Sequence, residues 1–506
     1  MRALLIINMV LGAAAHAQQP VPDKNGMEAA AVPAAVVAQV SAPLRSLDIE
    51  KALENLTLDN YVGLVLTQSL DMQNARASLR SAELRRDASF SSLVLPRLTA
   101  DTGASKNYSD SDDGTAAAGI NATDARVGVS QPFITGTQLT ASSQYLFSET
   151  RSAGGPRTSL TRDVPRFRSA LTQPLFIFKK NPARRTKSRA QLAWEQAEDS
   201  FRATELQVWA SARNLYYEAM LNGERERVER NKLTSSKAVY RVTKALVDAG
   251  KVARVQLSRA KIRRERDFRN VRTVRNNKQK ALNSLKDFIL LPAEQSVSLK
   301  TGLKYEPFDH TLARLKELAE RYNPALHSSK VDVDLARISL RETREGTFPG
   351  LDLNAGYNVD RNRADAASPR NPYSWDAGIR LTWEFYDARQ TKLGAEQSRL
   401  SLKNLERTVE KTRRALLVAV ENRVLDIRRI EKQILGFGAQ RQLARSNIEA
   451  TRLQYKNGIT RLVDVFDAEN EARAIELEYF NLVVGYKRSY DQLVTLVGRD
   501  LAEVNP

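Results

Sequence analysis

Between Thr460 and Val497, apolar residues fall at Val465, Ala468, Ala472, Ile475, Tyr479, Leu482 and Tyr486, then at Tyr490, Leu493 and Val497. Steps of three and four dominate, which is a heptad seam and predicts a helix packed lengthwise on another helix. It follows Asn457-Gly458, a turn signal, because glycine reaches positive φ at little steric cost and so ends one helix and lets the next begin. The same grammar occurs once upstream, with Gly250 in the place of Gly458, Leu257 of Val465, Ala260 of Ala468 and Leu285 of Leu493. One helix-turn-helix unit is used twice.

The spacing predicts a helix over 57–94, capped at Thr57 or Asp59 and stopped by Pro96. Four segments rich in Thr, Ser, Val and Phe follow at 97–108, 125–132, 138–147 and 167–178; they alternate with period two between Gly, Asp, Asn and Ser clusters and read as strands. Helical periodicity returns from Pro182 to Ala249, roughly 100 Å at 1.5 Å per residue, too long for a compact globular domain. A shorter return arm runs to about Leu290. Its deficit matches the helix over 57–94, which could stack end to end on it. The second copy repeats the plan: a helix over 311–346 interrupted before Asn323-Pro324, strands at 351–360 and 374–386, a helix over 388–455 and a return arm over 460–497. The predicted division is therefore a leader at 1–17, a flexible Ala, Val and Pro-rich segment at 18–55, a first repeat at 56–300 and a second at 307–500. The first strand region is longer than the second by about 43 residues, an insertion at about 109–165 that is either an extra hairpin or a long surface loop.

Composition removes whole classes of chemistry. The 506 residues contain no Cys and only three His, which excludes disulfides, thiolate metal sites and a lipidated N-terminal Cys, and leaves little for an imidazole-based active site. There is no Gly-rich phosphate loop and no metal-ligand spacing, so neither an enzyme nor a cofactor is expected. Arg2, the apolar run after it and Ala15-His16-Ala17 fit a cleaved export signal. No later stretch is apolar enough for a transmembrane helix, so a membrane could be crossed only by a closed barrel, and the few short strands would have to close with those of other copies. The net charge of +19 lies mostly on helix faces, and no nucleic-acid partner is expected. It is uneven: the return arm over 251–286 carries 13 Lys and Arg against 2 acidic residues, its twin over 460–497 carries 4 against 7. Either the two arms neighbour one another and their charges fix which hairpin pairs with which, or the basic arm lines a lumen and favours anionic cargo.

The duplicated plan, the Leu171-Thr172-Gln173-Pro174-Leu175-Phe176 element with its partner Leu381-Thr382-Trp383-Glu384-Phe385-Tyr386-Asp387, and the Tyr455-x-x-Gly458 turn followed by Val463-Asp464-Val465-Phe466-Asp467-Ala468 together resemble the TolC family of outer-membrane efflux ducts over about 56–498. The resemblance implies a mainly α fold with a membrane β-barrel portion. Duplicated helical hairpins would form a trimeric α-helical tunnel, and each protomer would give four strands to one shared barrel in outer-membrane lipid. It implies passive conduction from a periplasmic adaptor and an inner-membrane pump of the RND or ABC kind. Pro174, Phe176, Phe385 and Asp387 mark the strand-to-helix switch. Phe176, Phe178, Tyr373, Trp375, Trp383, Phe385 and Tyr386 stand at strand ends as an interfacial girdle or as an aromatic core cluster. Asp464 and Asp467 match paired aspartates of a constricted pore aperture, and Tyr455 a tyrosine of the links that hold it closed; the bland alternative is that both Asp complement the start of the return helix. Where the family often has an Arg two residues after the turn Gly, this chain has Thr460, with Arg461 beside it. The turns at Gly250 and Val252 and at Gly458 and Ile459 are where the resemblance places adaptor docking. A periplasmic coiled-coil adaptor or scaffold is the other class considered; it would have one hairpin rather than two.

Overall fold

The computed structural model describes residues 55–109, 117–153, 160–176, 181–292, 294–300, 302–360 and 373–499, all within one compact unit. The expected leader, most of the flexible segment and Phe178 lie outside the described residues.

The first repeat opens with α1 (Leu58–Gln68) and α2 (Leu70–Ser91). The single helix expected over 57–94 is in fact two, because Ser69 leaves the helical region at φ −61° and ψ 143° and its hydroxyl accepts the Met72 N–H at 3.4 Å. Serine favours this local bond over an unbroken ladder. After a set of strands come α3 (Pro182–Asp248) and its return arm α4 (Arg254–Phe288). The second repeat has α5 (Leu312–Tyr322) and α6 (Pro324–Glu345), broken at Asn323, whose carboxamide accepts from Leu326 N–H at 2.9 Å; Pro324 then sits where no N–H is needed. It ends with α7 (Gln390–Lys456) and α8 (Leu462–Val497). The two copies agree closely: 11 and 22 residues for both broken pairs, 67 for both long helices, and 35 and 36 for the return arms.

The broken pair and the return arm meet end to end. Leu56 N–H donates to Ser298 O at 2.8 Å, and the Tyr61 hydroxyl donates to Leu285 O at 3.1 Å, which joins the start of α1 to the end of α4. Around this joint lies the main core, where Tyr61, Tyr216 and Leu285 of the first repeat pack in one cluster with Leu315, Ile427 and Val497 of the second. Residues 302–311 belt it: Tyr305 stands edge-on to Tyr486 at 5.3 Å and its hydroxyl bonds the Glu431 carboxylate. That belt has no periodicity and was not foreseen.

The strands form one antiparallel sheet in chain order: β1 (Arg97–Ser109), β2 (Ala117–Pro132), β3 (Gln138–Ala153), β4 (Leu160–Pro174), β5 (Gly350–Asp360) and β6 (Tyr373–Thr382). The four strands per protomer implied by the resemblance are thus six. The insertion supplies the hairpin β2–β3, closed by a short turn in which Phe133 N–H and Thr137 O bond at 2.8 Å. Gly136 in this turn has φ +87°, and a Cβ there would stand 2.6 Å from Phe176 Cζ. Strands β2 and β3 extend further than expected, because their far ends are rich in Ala, Gly, Asn, Thr and Ser and read as loop, whereas the hydrogen-bond ladder carries them on. Tyr373, Trp375, Trp383, Phe385 and Tyr386 are all exposed, so they form no core cluster.

Candidate functional site: the helix tips and the strand-to-helix joint

Each hairpin turns in the same way. Gly250 has φ +68° and donates to Val247 O at 3.0 Å while Lys251 N–H reaches Leu246 O at 2.8 Å; Gly458 has φ +76° and donates to Tyr455 O at 3.0 Å while Ile459 N–H reaches Gln454 O at 2.9 Å. Both are Schellman closures, which satisfy the last carbonyls of α3 and α7 and need a residue free of the Cβ penalty at positive φ. Ile459 is left 74% exposed, and Val252 half-buried.

Just above the turns a second, small core gathers residues of all four long helices: Val239 of α3, Ala260 of α4, Tyr455 of α7, and Leu462 and Val465 of α8. In it the Tyr455 hydroxyl bonds Thr243 Oγ1 at 2.9 Å, with both residues buried. This bond ties the second hairpin to the first. A turn higher, the buried Glu469 carboxylate of α8 takes Arg452 Nη2 at 3.1 Å, and both Glu469 and Arg452 bond the Ser235 hydroxyl of α3. Lys232, Arg263 and the wholly buried Asp267 form a further cluster between α3 and α4, where burial pushes the Lys232 ammonium down and Asp267 opposes it.

The two aspartates differ. Asp464 Oδ2 accepts from Arg461 N–H at 3.0 Å and from the Thr460 hydroxyl at 2.9 Å, and its other oxygen meets Arg461 Nη2 at 3.2 Å. It closes a capping box at the start of α8, and these bonds, that to the Arg461 side chain first and that to Thr460 next, hold its carboxyl below the ordinary 3.8. A lowered carboxylate contributes stability that is present above its unfolded value and lost as pH falls through the folded one, so the cap is intact at neutral pH. Asp467 is exposed and has no side-chain partner among the described residues. No group of three or more possible metal ligands occurs among the described residues.

Within one protomer, the acidic arm meets counter-charges on helices other than the basic arm. The acidic arm α8 is neutralised by α3 and α7, through Arg213 with Asp491 at 2.8 Å and Arg441 and Arg445 with Glu476 at 3.2 and 2.9 Å. Its contact with the basic arm α4 is neutral: Arg263 bonds Asn470 and lies over the Phe466 ring at 5.1 Å.

At the opposite end, Pro174 closes β4 opposite Asp352, and Phe176 covers Gly136. Trp383 Nε1 donates to Thr347 O at 3.2 Å and its ring stands edge-on to Phe385, which is 83% exposed. Asp387 Oδ2 accepts Thr391 N–H at 2.7 Å and caps α7, after Ala388 and Arg389 at φ +52° and +69°. The sequence-identified residues therefore fall at two sites. Tyr455, Asp464, Asp467, Gly250, Val252, Gly458 and Ile459 come together at the tips; Pro174, Phe176, Phe385 and Asp387 mark the sheet joint. Thr243, Ser235, Arg452 and Glu469 were not foreseen.

Two long helical hairpins joined to one six-stranded antiparallel sheet define the fold, and solved outer-membrane channels share it. The Campylobacter jejuni CmeC outer membrane channel matches with a TM-score of 0.65 at 16% identity, covering 87% of this chain and 85% of that one. The Neisseria gonorrhoeae MtrE outer membrane channel, solved in an open state, matches with 0.65 at 14%, covering 87% and 89%. Residues 315–499 match the family described as outer membrane efflux protein. Outer membrane protein TolC of Vibrio cholerae is 23% identical over 215 residues, 42% of this chain and 48% of that protein; that of Escherichia coli is 24% identical over 293 residues, 53% and 58%. The chain spans about half the length of these curated relatives. The chain is thus similar to the outer membrane efflux proteins over its second repeat, and to TolC proteins over about half of its length.

Proposed function

We propose that three copies of the chain form an efflux duct of the outer membrane, closed at rest near the helix tips and conducting passively once a periplasmic adaptor engages them. The observation that carries this reading is the six-stranded sheet, which has an apolar face and ends in two unpaired edges, β1 and β6. No described helix is long and apolar enough to cross a membrane, and a sheet can do so only as a closed barrel. Closure then requires further copies.

At the tips, the Tyr455 to Thr243 bond and the Arg452, Glu469 and Ser235 cluster hold the second hairpin against the first. Adaptor helices packing on the turns at Gly250, Val252, Gly458 and Ile459 would shift the hairpins and break these links, an exchange between two packings rather than a bend. Asp467 of each copy, with Asp464 beside it on the same helix face, would ring the aperture with carboxylates that favour cations. An inner-membrane pump of the RND or ABC kind would supply the energy.

The test is conductance of the purified protein in planar bilayers. Small cation-selective steps, blocked by divalent ions in the native protein and not in the D464A/D467A double variant, are expected. Block unchanged by the substitutions would discard the aspartate ring. Absence of any conductance from folded protein would overturn the duct and favour an adaptor or scaffold.

A further inference from the structure

We propose that the membrane barrel has eighteen strands, six from each of three copies, with the β2–β3 hairpin as a full part of its wall and β1 of one copy sealed to β6 of the next. The inference rests on the trimeric duct reading and extends it, because the resemblance alone implied four strands from each copy.

The ladder comes first. In the second repeat the two strands pair directly, β5 with β6. Their counterparts β1 and β4 do not touch: β2 lies beside β1 from Arg97↔Ser130 to Ser109↔Ala118, and β3 beside β4 from Gln138↔Thr172 to Thr150↔Leu160. The inserted hairpin is woven between them over their full length. Each inserted strand has 16 residues, more than the roughly 9–11 that cross a bilayer at a tilt.

The alternation of side chains makes the same case. Opposite partners in a ladder share a face, so Leu98 on β1, Val129 on β2 and Ala141 on β3 lie together, and the series ends with Tyr357 opposite Trp375 and Leu353 opposite Ile379 on β5 and β6. On the other face of the insertion Gln144 bonds Arg126 at 3.1 Å and Asp124 at 3.5 Å. The hairpin thus keeps one apolar and one polar face, each continuous with those of its neighbours. A hairpin splayed into water, or folded over the sheet, would have no reason to match both.

The turn between β2 and β3 is also fixed to the rim where strands become helices. Asn181, the N-cap of α3, donates to Ile134 O at 2.7 Å, Gln131 bonds Val94 O, and Thr137 bonds Gln173. The four strands attached to helices stand above them, and this turn fills the extra arc. Parity permits closure, because β1 leaves the helical end and β6 returns to it, so they meet antiparallel at the seam as an even-numbered barrel requires. At about 4.8 Å between strands and about 40° of tilt, eighteen strands enclose a Cα diameter of ~36 Å against ~24 Å for twelve.

The chain has no cysteine, so engineered pairs report contacts without background. In purified full-length protein, oxidation is expected to link A100C with V127C within one chain, to leave A100C and S169C unlinked, and to join A100C to one of Y373C, W375C or A377C between chains, giving covalent trimers. A three-copy mass with A100C linked to S169C would overturn the eighteen-strand barrel and leave the duct standing. A single-copy mass would overturn the trimer, and this inference with it. Because cysteine pairs can disturb folding, strands are also to be counted in an electron cryo-microscopy map of the unmodified protein: eighteen supports the inference, twelve overturns it.

Discussion

Tyr455 is buried near the tips, where its hydroxyl joins the two hairpins, since its partner Thr243 belongs to the first repeat while Tyr455 belongs to the second. Sequence pointed to Tyr455 and to the aspartates but not to Thr243, Ser235, Arg452 or Glu469. Heptad spacing says which face of a helix is buried. It leaves open the axial register that decides which residue of α3 lies opposite which of α7. It also left two roles open for Asp464 and Asp467, and the bonds of Asp464 give it the capping role while Asp467 stays open to solvent. A second feature at this scale had no sequence signal: Ala388 and Arg389 take left-handed φ in succession. Each such residue costs roughly 1 kcal/mol relative to glycine, so Ala388→Gly should stabilise the protein by about that amount. Thermal unfolding of the purified protein would show a raised midpoint, and a lowered one would mean that the methyl group packs usefully.

Among elements, the long hairpins and their turns were legible because periodicity and turn glycines are local signals. The break at Ser69 was not, although its twin at Asn323 was, because proline announces the second and nothing comparable announces the first. The two joints nonetheless perform one task, capping a 22-residue helix after an 11-residue one. Replacing the first cap by alanine, Ser69→Ala, should cost about 1 kcal/mol of thermal stability. Asn323→Ala should cost more, because its Nδ2 also donates to Leu496 O at 2.9 Å at the end of α8; equal losses would show that this second bond adds nothing. The strand insertion was visible as excess length but ambiguous in form, since a strand end rich in Gly, Asn and Ser becomes a strand only once a neighbour completes its ladder.

For the whole molecule, the charge map within one protomer can now be drawn. The basic and acidic return arms invited a pairing, yet α8 finds its counter-charges on α3 and α7 within its own protomer, while its contact with α4 is neutral. Within the protomer, cations of α4 also pair with acidic groups of α3 and of α4 itself, Lys278 with Glu226 at 3.0 Å and Arg263 with Asp267 at 3.4 Å. The molecule as a whole displays a six-stranded sheet with two unpaired edges and two hairpins bonded to each other near their far end. In the proposed duct these bonds form the constriction. Single-channel conductance of the native protein should therefore be compared with that of a variant carrying Tyr455→Phe and Arg452→Ala, which removes the Tyr455–Thr243 bond and the Arg452 contacts nearest the tips and leaves the aspartates in place. A severalfold larger conductance from a variant that still assembles as a trimer is the expected result; a conductance equal to the native one would place the constriction elsewhere and contradict the account.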